Sequence, residues 1–194
     1  MRIGVYFCLC GPNIAEKIDS EAVRQAVERL PGFGYYRTVE FLCSAVGTSA
    51  MEKDVRENRP DRVVVAACSV RDHEETFRGV LARAGMNPFL MQMVNVREHI
   101  AWVTADREKA TEKAIRHLGA AMRRVALHEP LERREIDVCT DVLVVGAGPA
   151  GLKAALNFAE AGRKVCLVEK EPVLGGLPAR YEAMFPDMEC GPCV

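Results

Sequence analysis

The sequence predicts an α/β fold built from two parallel-sheet parts. Three observations predict it. Short apolar runs alternate with segments of helical spacing, the pattern of strand–helix–strand crossovers. No tract repeats and none is of low complexity, so solenoids and tails are excluded. A charged, proline-punctuated stretch near residue 135 separates a first set of four strands from a new strand–helix–strand unit.

The elements follow in order. Residues 2–7 read as a first strand. Ala22, Val23, Ala26, Val27 and Leu30 then recur with helical spacing, with Asp19 or Ser20 as N-cap and Gly32 as stop. Residues 35–42 read as a second strand. Ser49 with Glu52 three positions on is a capping box, which predicts a helix over 49–58. Residues 62–67 are nearly continuously apolar and predict a central third strand. Ser69 can cap a helix running to Ala84, ended by Gly85. Residues 89–95 read as a fourth strand, and 106–128 as a long helix rich in Ala, Lys, Arg and Glu. Pro130 and the charged residues after it make 129–140 a solvated linker, giving domains 1–134 and 135–194.

Composition narrows the function. The 194 residues are 49% hydrophobic and 27% charged, which excludes intrinsic disorder. Lys+Arg is 26 and Asp+Glu is 27, a balance unsuited to binding nucleic acid by phosphate neutralisation. No run approaches the roughly 18 apolar residues of a membrane span. The N-terminus is too short and polar for a signal peptide, so a cytoplasmic location is expected. Eight cysteines in a reducing compartment then point to metal or redox chemistry rather than disulfides.

The second part carries a specific motif. An apolar strand from Asp141 runs into Gly146-Ala147-Gly148-Pro149-Ala150-Gly151, a G-x-G-x-x-G, followed by a helix over 152–161 and a strand over 164–168 ending at Glu169. Gly146 allows the tight turn, Gly148 lets the backbone approach a pyrophosphate, and Gly151 lets helix and strand pack closely. The helix start offers free N–H groups to phosphates. Glu169 stands where an acid accepts hydrogen bonds from a ribose. With strand, helix, second strand and acid all in place, the reading is a Rossmann-like dinucleotide-binding unit. An acid at this position favours FAD or NAD over NADP. A full dinucleotide-binding sheet needs more strands, from a longer product or a second polypeptide. Cys166 within the last strand reads as a buried small hydrophobe, and Cys139 as structural.

Four other cysteines fall at strand ends: Cys8 and Cys10 after the first, Cys43 after the second, Cys68 at the end of the third. In a parallel sheet the carboxyl ends share one edge, so these thiols are expected in one crevice. Four cysteinyl sulfurs suit Zn²⁺ or an iron–sulfur cluster. Zinc knuckle spacing is absent, and a C-x-C with two singletons fits a cluster held by loops. His73 reads either as a ligand or as a solvated first-turn residue; His99, His117 and His128 show no ligand spacing. Cys190-Gly191-Pro192-Cys193 is a C-x-x-C with two readings, a redox dithiol or half of an iron–sulfur site. The second reading needs thiolates from a later segment or another chain.

Jointly, several segments resemble the N-terminal part of the A subunit of heterodisulfide reductase. They are the run from Gly4 to Ala15 around Cys8-Leu9-Cys10-Gly11-Pro12, Leu42-Cys43-Ser44, the run from Val63 to Glu74 around Cys68, Asn87-Pro88-Phe89 and Asn95-Val96-Arg97-Glu98-His99. The glycine motif, Val168-Glu169-Lys170-Glu171-Pro172, Gly175-Gly176, and Phe185-Pro186 leading to Cys190 and Cys193 complete the set. The resemblance implies an N-terminal [4Fe–4S] domain followed by a thioredoxin-reductase-like FAD domain. It implies FAD contacts at Gly146, Gly148, Pro149, Ala150, Gly151, Glu169, Lys170, Gly175 and Gly176. Cys8, Cys10, Cys43 and Cys68 match the family's N-terminal cysteines, and Cys190 and Cys193 a pair serving a further cluster. One departure stands out: the family has Cys-Ser-Trp-Val-His where this chain has Ile100-Ala101-Trp102-Val103-Thr104, so a fifth cysteine is missing.

The expected function is an electron-transfer subunit of a heterodisulfide-reductase-like complex in anaerobic metabolism. It would pass electrons between FAD and [4Fe–4S] clusters, with flavin-based bifurcation as the family's known variant. Expected partners are other subunits of the complex and a chain completing the FAD domain. No residue reads as a general acid, base or nucleophile. The alternatives are a non-catalytic cluster- or zinc-binding assembly module, and an NAD-dependent enzyme fragment with incidental thiols.

Overall fold

A computed structural model describes residues 1–190. The chain divides into two compact units, Met1–Arg133 and Arg134–Val194.

The first unit runs β1 (Ile3–Cys8), α1 (Pro12–Ala15), α2 (Ser20–Val27), β2 (Phe33–Val39), α3 (Ala45–Asn58), β3 (Arg62–Ala67), α4 (Val70–Arg83), β4 (Met91–Asn95), a π-helical turn Arg97–Ala101, and α5 (Arg107–Val125). Its four strands are all parallel, in the order β2-β1-β3-β4. Alternate strand residues face opposite ways, so each strand feeds two cores. On one face Val5, Phe7, Val64 and Ala66 pack with Val23, Leu118 and Ile100. On the other, Tyr6, Val63 and Val65 pack with Met51, Val55 and Phe77. Every residue of β1 is buried, which explains the unbroken apolar run there. Each such side chain contributes about 1.5–3 kcal/mol on burial.

The chain passes from β1 to β2 on one side and returns to β3 on the other. The carboxyl ends of β1 and β3 therefore open a crevice at the point where the winding reverses.

Caps decide where the helices begin. Asp19 accepts from the N–H groups of Glu21 and Ala22 at 3.0 Å each and starts α2. Asp106 accepts from Lys109 N–H at 2.8 Å and starts α5. The expected capping box at Ser49 is not the start of α3. Ser44 caps it instead, accepting from Gly47 N–H at 3.0 Å, so the helix begins at Ala45. Ser69 stands at the N-cap of α4 without a side-chain cap bond.

The second unit contains β5 (Val142–Val145), α6 (Pro149–Glu160), β6 (Val165–Val168) and a short 3₁₀ turn Pro178–Arg180. β5 and β6 pair in parallel, Val142 opposite Val165 and Val145 opposite Val168. The described residues cover one face of this two-stranded sheet and leave the other exposed. Cys166, expected to be buried, is exposed, because it lies on the uncovered face with Leu143, Val145 and Val168. Cys139, in the connecting segment, is exposed as well. Among the described residues no helix is long and apolar enough to cross a membrane.

Candidate functional site

The glycine loop joins β5 to α6. Gly146 has φ +100°, a left-handed backbone that an L side chain resists. Its N–H donates to Val168 O at 2.7 Å, tying the loop to the end of β6. Gly151 permits close packing: a Cβ there would stand 1.9 Å from Gly146 O. Nothing lies within 4 Å of a Cβ built on Gly148, so the backbone is open to an approaching group. Pro149 and Ala150 form the exposed first turn of α6, whose N-cap is Gly148. Gly175 and Gly176 come back to this loop. Gly175 N–H donates to Ala147 O at 2.7 Å, and a Cβ on Gly176 would meet Gly148 Cα at 3.0 Å.

Glu169 closes the arrangement. One carboxylate oxygen accepts from Ala147 N–H at 2.6 Å, and the other from Lys170 N–H at 2.8 Å and Glu171 N–H at 3.1 Å. The Ala147 amide foremost holds this carboxyl below the usual carboxylate range. A carboxylate has lone pairs to spare after these bonds and can still accept from a diol. A cavity of about 460 Å³ lies beside it, lined among others by Gly146, Glu169, Lys170 and Gly176. Two of its lining residues, Glu171 and Arg180, were given no role from sequence; they pair at 3.4 Å. The open loop, the required glycines and the acid at the strand end fit the adenosine and pyrophosphate part of a dinucleotide.

The first unit delivers its thiols to one sheet edge. Cys8 is the last residue of β1 and is buried; Cys68 directly follows β3 and is buried; Cys10 is half-buried and Cys43 exposed. β2 ends at Val39, so Cys43 stands four positions beyond it, next to the N-cap of α3. Cys10, at φ 49°, and Gly11, at φ 56°, turn the chain back over the edge. Leu42 N–H donates to Cys8 Sγ at 3.4 Å, and the Cys8 thiol points at Glu40 O at 3.6 Å.

Burial foremost raises the Cys8 thiol, and charge at Cys10 or Cys43 raises it further. Burial pushes Cys68 up to about 11, opposed by Arg97 and reinforced by Cys43 and Cys10. As the side chains lie, no group of three or more His, Cys, Asp or Glu among the described residues has the arrangement to hold a metal ion. The edge fits a thiolate-ligated group in its donor set and in its N–H and guanidinium donors to sulfur. His73 lies in the first turn of α4 with its ring 6.4 Å from that of Phe77, and belongs to no group of three or more candidate metal ligands among the described residues. Ile100, where the resembled family has cysteine, is fully buried in the core.

Sequence reasoning gave no role to Arg97. It follows β4 at the same edge, and its Nη1 lies 3.3 Å from Cys10 Sγ. The adjacent Arg-Glu pair immediately after a strand end was the available signal. Cys190 is exposed, close to a bridge between Met184 and Glu189; Cys193 lies outside the described residues.

Taken together, the molecule is a parallel α/β unit with a thiol-rich carboxyl edge, joined to a dinucleotide-type βαβ unit. Residues 141–189 match the family model described as FAD dependent oxidoreductase. Over 195 aligned residues the chain is 46% identical to the A subunit of the ferredoxin/F(420)H(2)-dependent CoB-CoM heterodisulfide reductase of Methanosarcina acetivorans, covering 100% of this chain and 25% of that protein. It is 44% identical over 98% of its length to an iron-sulfur A subunit of the CoB–CoM heterodisulfide reductase of Methanopyrus kandleri, covering 29% of that protein. It is 42% identical over its whole length to the A subunit of the H(2):CoB-CoM heterodisulfide,ferredoxin reductase of Methanothermobacter marburgensis, again 29% of that protein. Over essentially its whole length the chain is similar to the N-terminal part of these A subunits, and it spans between a quarter and three tenths of their length.

Proposed function

We propose that this chain is the flavin- and cluster-carrying N-terminal segment of an oxidoreductase subunit in a heterodisulfide-reductase-like complex. Cys8, Cys10, Cys43 and Cys68 hold a [4Fe–4S] cluster. Gly146, Gly148, Pro149, Ala150, Gly151, Glu169, Lys170, Gly175 and Gly176 hold FAD. Cys190 and Cys193 serve a further cluster completed by other thiolates. The observation that carries this reading is four thiols from three parallel strand ends at one edge, in a chain whose second unit has an open glycine loop. The words "iron-sulfur" in one relative's name support the cluster.

When bound, FAD exchanges electrons in pairs or singly, and a cluster exchanges them one at a time. The chain's own residues bind, orient and shield. The open backbone at Gly148 receives the pyrophosphate, and Glu169 accepts from the ribose. Leu42 N–H and Arg97 donate toward sulfur, and the buried surroundings of Cys8 and Cys68 limit water. One relative's name joins H(2) with both CoB-CoM heterodisulfide and ferredoxin, which supports electron splitting between two acceptors as the finer form of this reading. A further strand-and-helix layer, from more of the same polypeptide or another chain, covers the exposed face carrying Leu143, Val145 and Val168.

Anaerobic purification with flavin, iron and labile-sulfide analysis tests the proposal. Bound FAD with iron and sulfide in equal amounts is the expected result. Colourless protein after reconstitution, zinc without sulfide, or nicotinamide binding without brown colour contradicts it.

A further inference from the structure

We propose that Arg97 is a positioning residue that sets the reduction potential of the cysteine edge, its guanidinium held at Cys10 by Glu98 and Trp102. The inference rests on the reading of this edge as an iron–sulfur site and adds a residue that coordinates nothing.

The geometry is over-determined. The turn Arg97–Ala101 is π-helical, and Trp102 N–H donates to Arg97 O at 2.9 Å. That wide turn places the Trp102 ring over the guanidinium, 4.9 Å from Arg97 Cζ to the ring centroid. Fully buried Ile100 pins the turn to the core from below. Trp102 Nε1 in turn donates to Asn13 Oδ1 at 3.2 Å, and Asn13 Nδ2 donates to Cys10 O at 3.3 Å. Arg97 is thus tied to the Cys10 turn directly and through Trp102 and Asn13.

The charges are arranged with a direction. Glu98 Oε1 accepts from Arg97 Nη2 at 2.6 Å and Nε at 3.1 Å, leaving Nη1 for the Cys10 sulfur. The Glu98 main chain is anchored, its N–H donating to Asn95 Oδ1 at 2.9 Å. The second carboxylate oxygen, Oε2, is shut off from solvent with no hydrogen-bond partner among the described residues. The two side chains are 22% and 25% exposed, so water screens the pair only in part. Of the pair, Arg97 is the member that reaches the sulfur with a hydrogen bond.

One-electron reduction of a thiolate-held cluster breaks no bond and moves no proton; it makes the site one charge more negative. A fixed cation favours the reduced form and raises the potential, and the neighbouring carboxylate opposes it. Arg97 and Glu98 must then act with opposite signs.

The test uses the reconstituted chain with Cys190→Ser and Cys193→Ser, so that the edge cysteines alone bind the cluster. Iron and sulfide are measured, followed by a dithionite titration read by electron paramagnetic resonance. Arg97→Gln should lower the electron affinity roughly tenfold, a fall of about 59 mV for a one-electron couple. Glu98→Gln should raise the potential, and Arg97→Lys should stay closer to the parent than Arg97→Gln. Trp102 is the sole tryptophan, so its emission reports whether the turn is kept. Full cluster content with unchanged potential in Arg97→Gln overturns the inference but leaves the cluster reading intact. Shifts of the same sign in Arg97→Gln and Glu98→Gln also overturn it, since they mark a structural role. A parent protein without iron and sulfide overturns both.

Discussion

Glu169 and Ala147 bind the end of one strand to the loop of another: the carboxylate at the tip of β6 accepts the Ala147 N–H at 2.6 Å, across the mouth of the glycine turn. The acid that would meet a ribose also holds the shape of the loop that would meet a pyrophosphate. The same carboxylate takes two further amides from the segment that follows it.

Replacing Glu169 by Gln should therefore weaken FAD retention several-fold without unfolding the first unit, read by flavin absorbance after gel filtration. The pH dependence has a fixed sign. Its carboxyl is held below its ordinary value of 4.5, so its contribution is complete above that pH and is lost as pH falls through the lowered value. Flavin release on acidification should begin below about pH 4.5, less steeply in the Gln variant.

Gly151→Ala should be more damaging than its size suggests. The added methyl would sit 1.9 Å from Gly146 O, a backbone atom that cannot swing aside. Separation of α6 from β5 is expected to cost about 1–3 kcal/mol and to abolish flavin binding. Thermal unfolding of the flavin-loaded protein, with and without added FAD, checks this.

Gly47→Ala tests the support of the cysteine edge. A Cβ there would lie 2.3 Å from Phe41 O and 2.7 Å from Leu42 O, the segment that carries Cys43 and donates to Cys8. A loss of about 1–3 kcal/mol is expected, with cluster yield falling more than helix content. Iron per chain against circular dichroism separates the two.

The Tyr6 hydroxyl donates to Asp54 Oδ2 at 2.6 Å and meets the Tyr35 hydroxyl at 2.8 Å. Burial foremost holds Tyr6 and Tyr36 well above the ordinary phenol value of 10.0 and pushes Tyr35 up to about 12. A raised acid contributes stability that is complete below its unfolded value and is lost as pH rises above it. Stability should therefore decline above about pH 10. Tyr6→Phe should lose about 1 kcal/mol near neutrality and flatten that decline, as urea midpoints across pH will read.

Much of this was legible in the chain. The third strand, 62–67, has the bounds that apolar content predicts, because a strand buried on both faces needs continuous hydrophobes. Cys8 and Cys68 stand at the ends of β1 and β3 as the apolar runs predict, whereas Cys43 lies four residues past the end of β2. What escaped depended on competition or on distant packing. Ser44 and Ser49 are both good caps; Ser44 wins because Gly47 lets the first turn press against the Phe41 and Leu42 carbonyls. Cys166 has a buried neighbour pattern but lies on a sheet face that the described residues leave uncovered. Arg97 gained its place from a π-helical turn that no local spacing announces.

Iron and labile sulfide per chain in anaerobically reconstituted protein, with Cys190 and Cys193 both replaced by Ser, test the N-terminal centre most directly. About four of each should remain, and Cys68→Ser in that background should remove them while FAD stays bound. Iron and sulfide lost with the C-terminal pair, or left untouched by Cys68→Ser, would contradict a cluster at the carboxyl edge of β1 and β3.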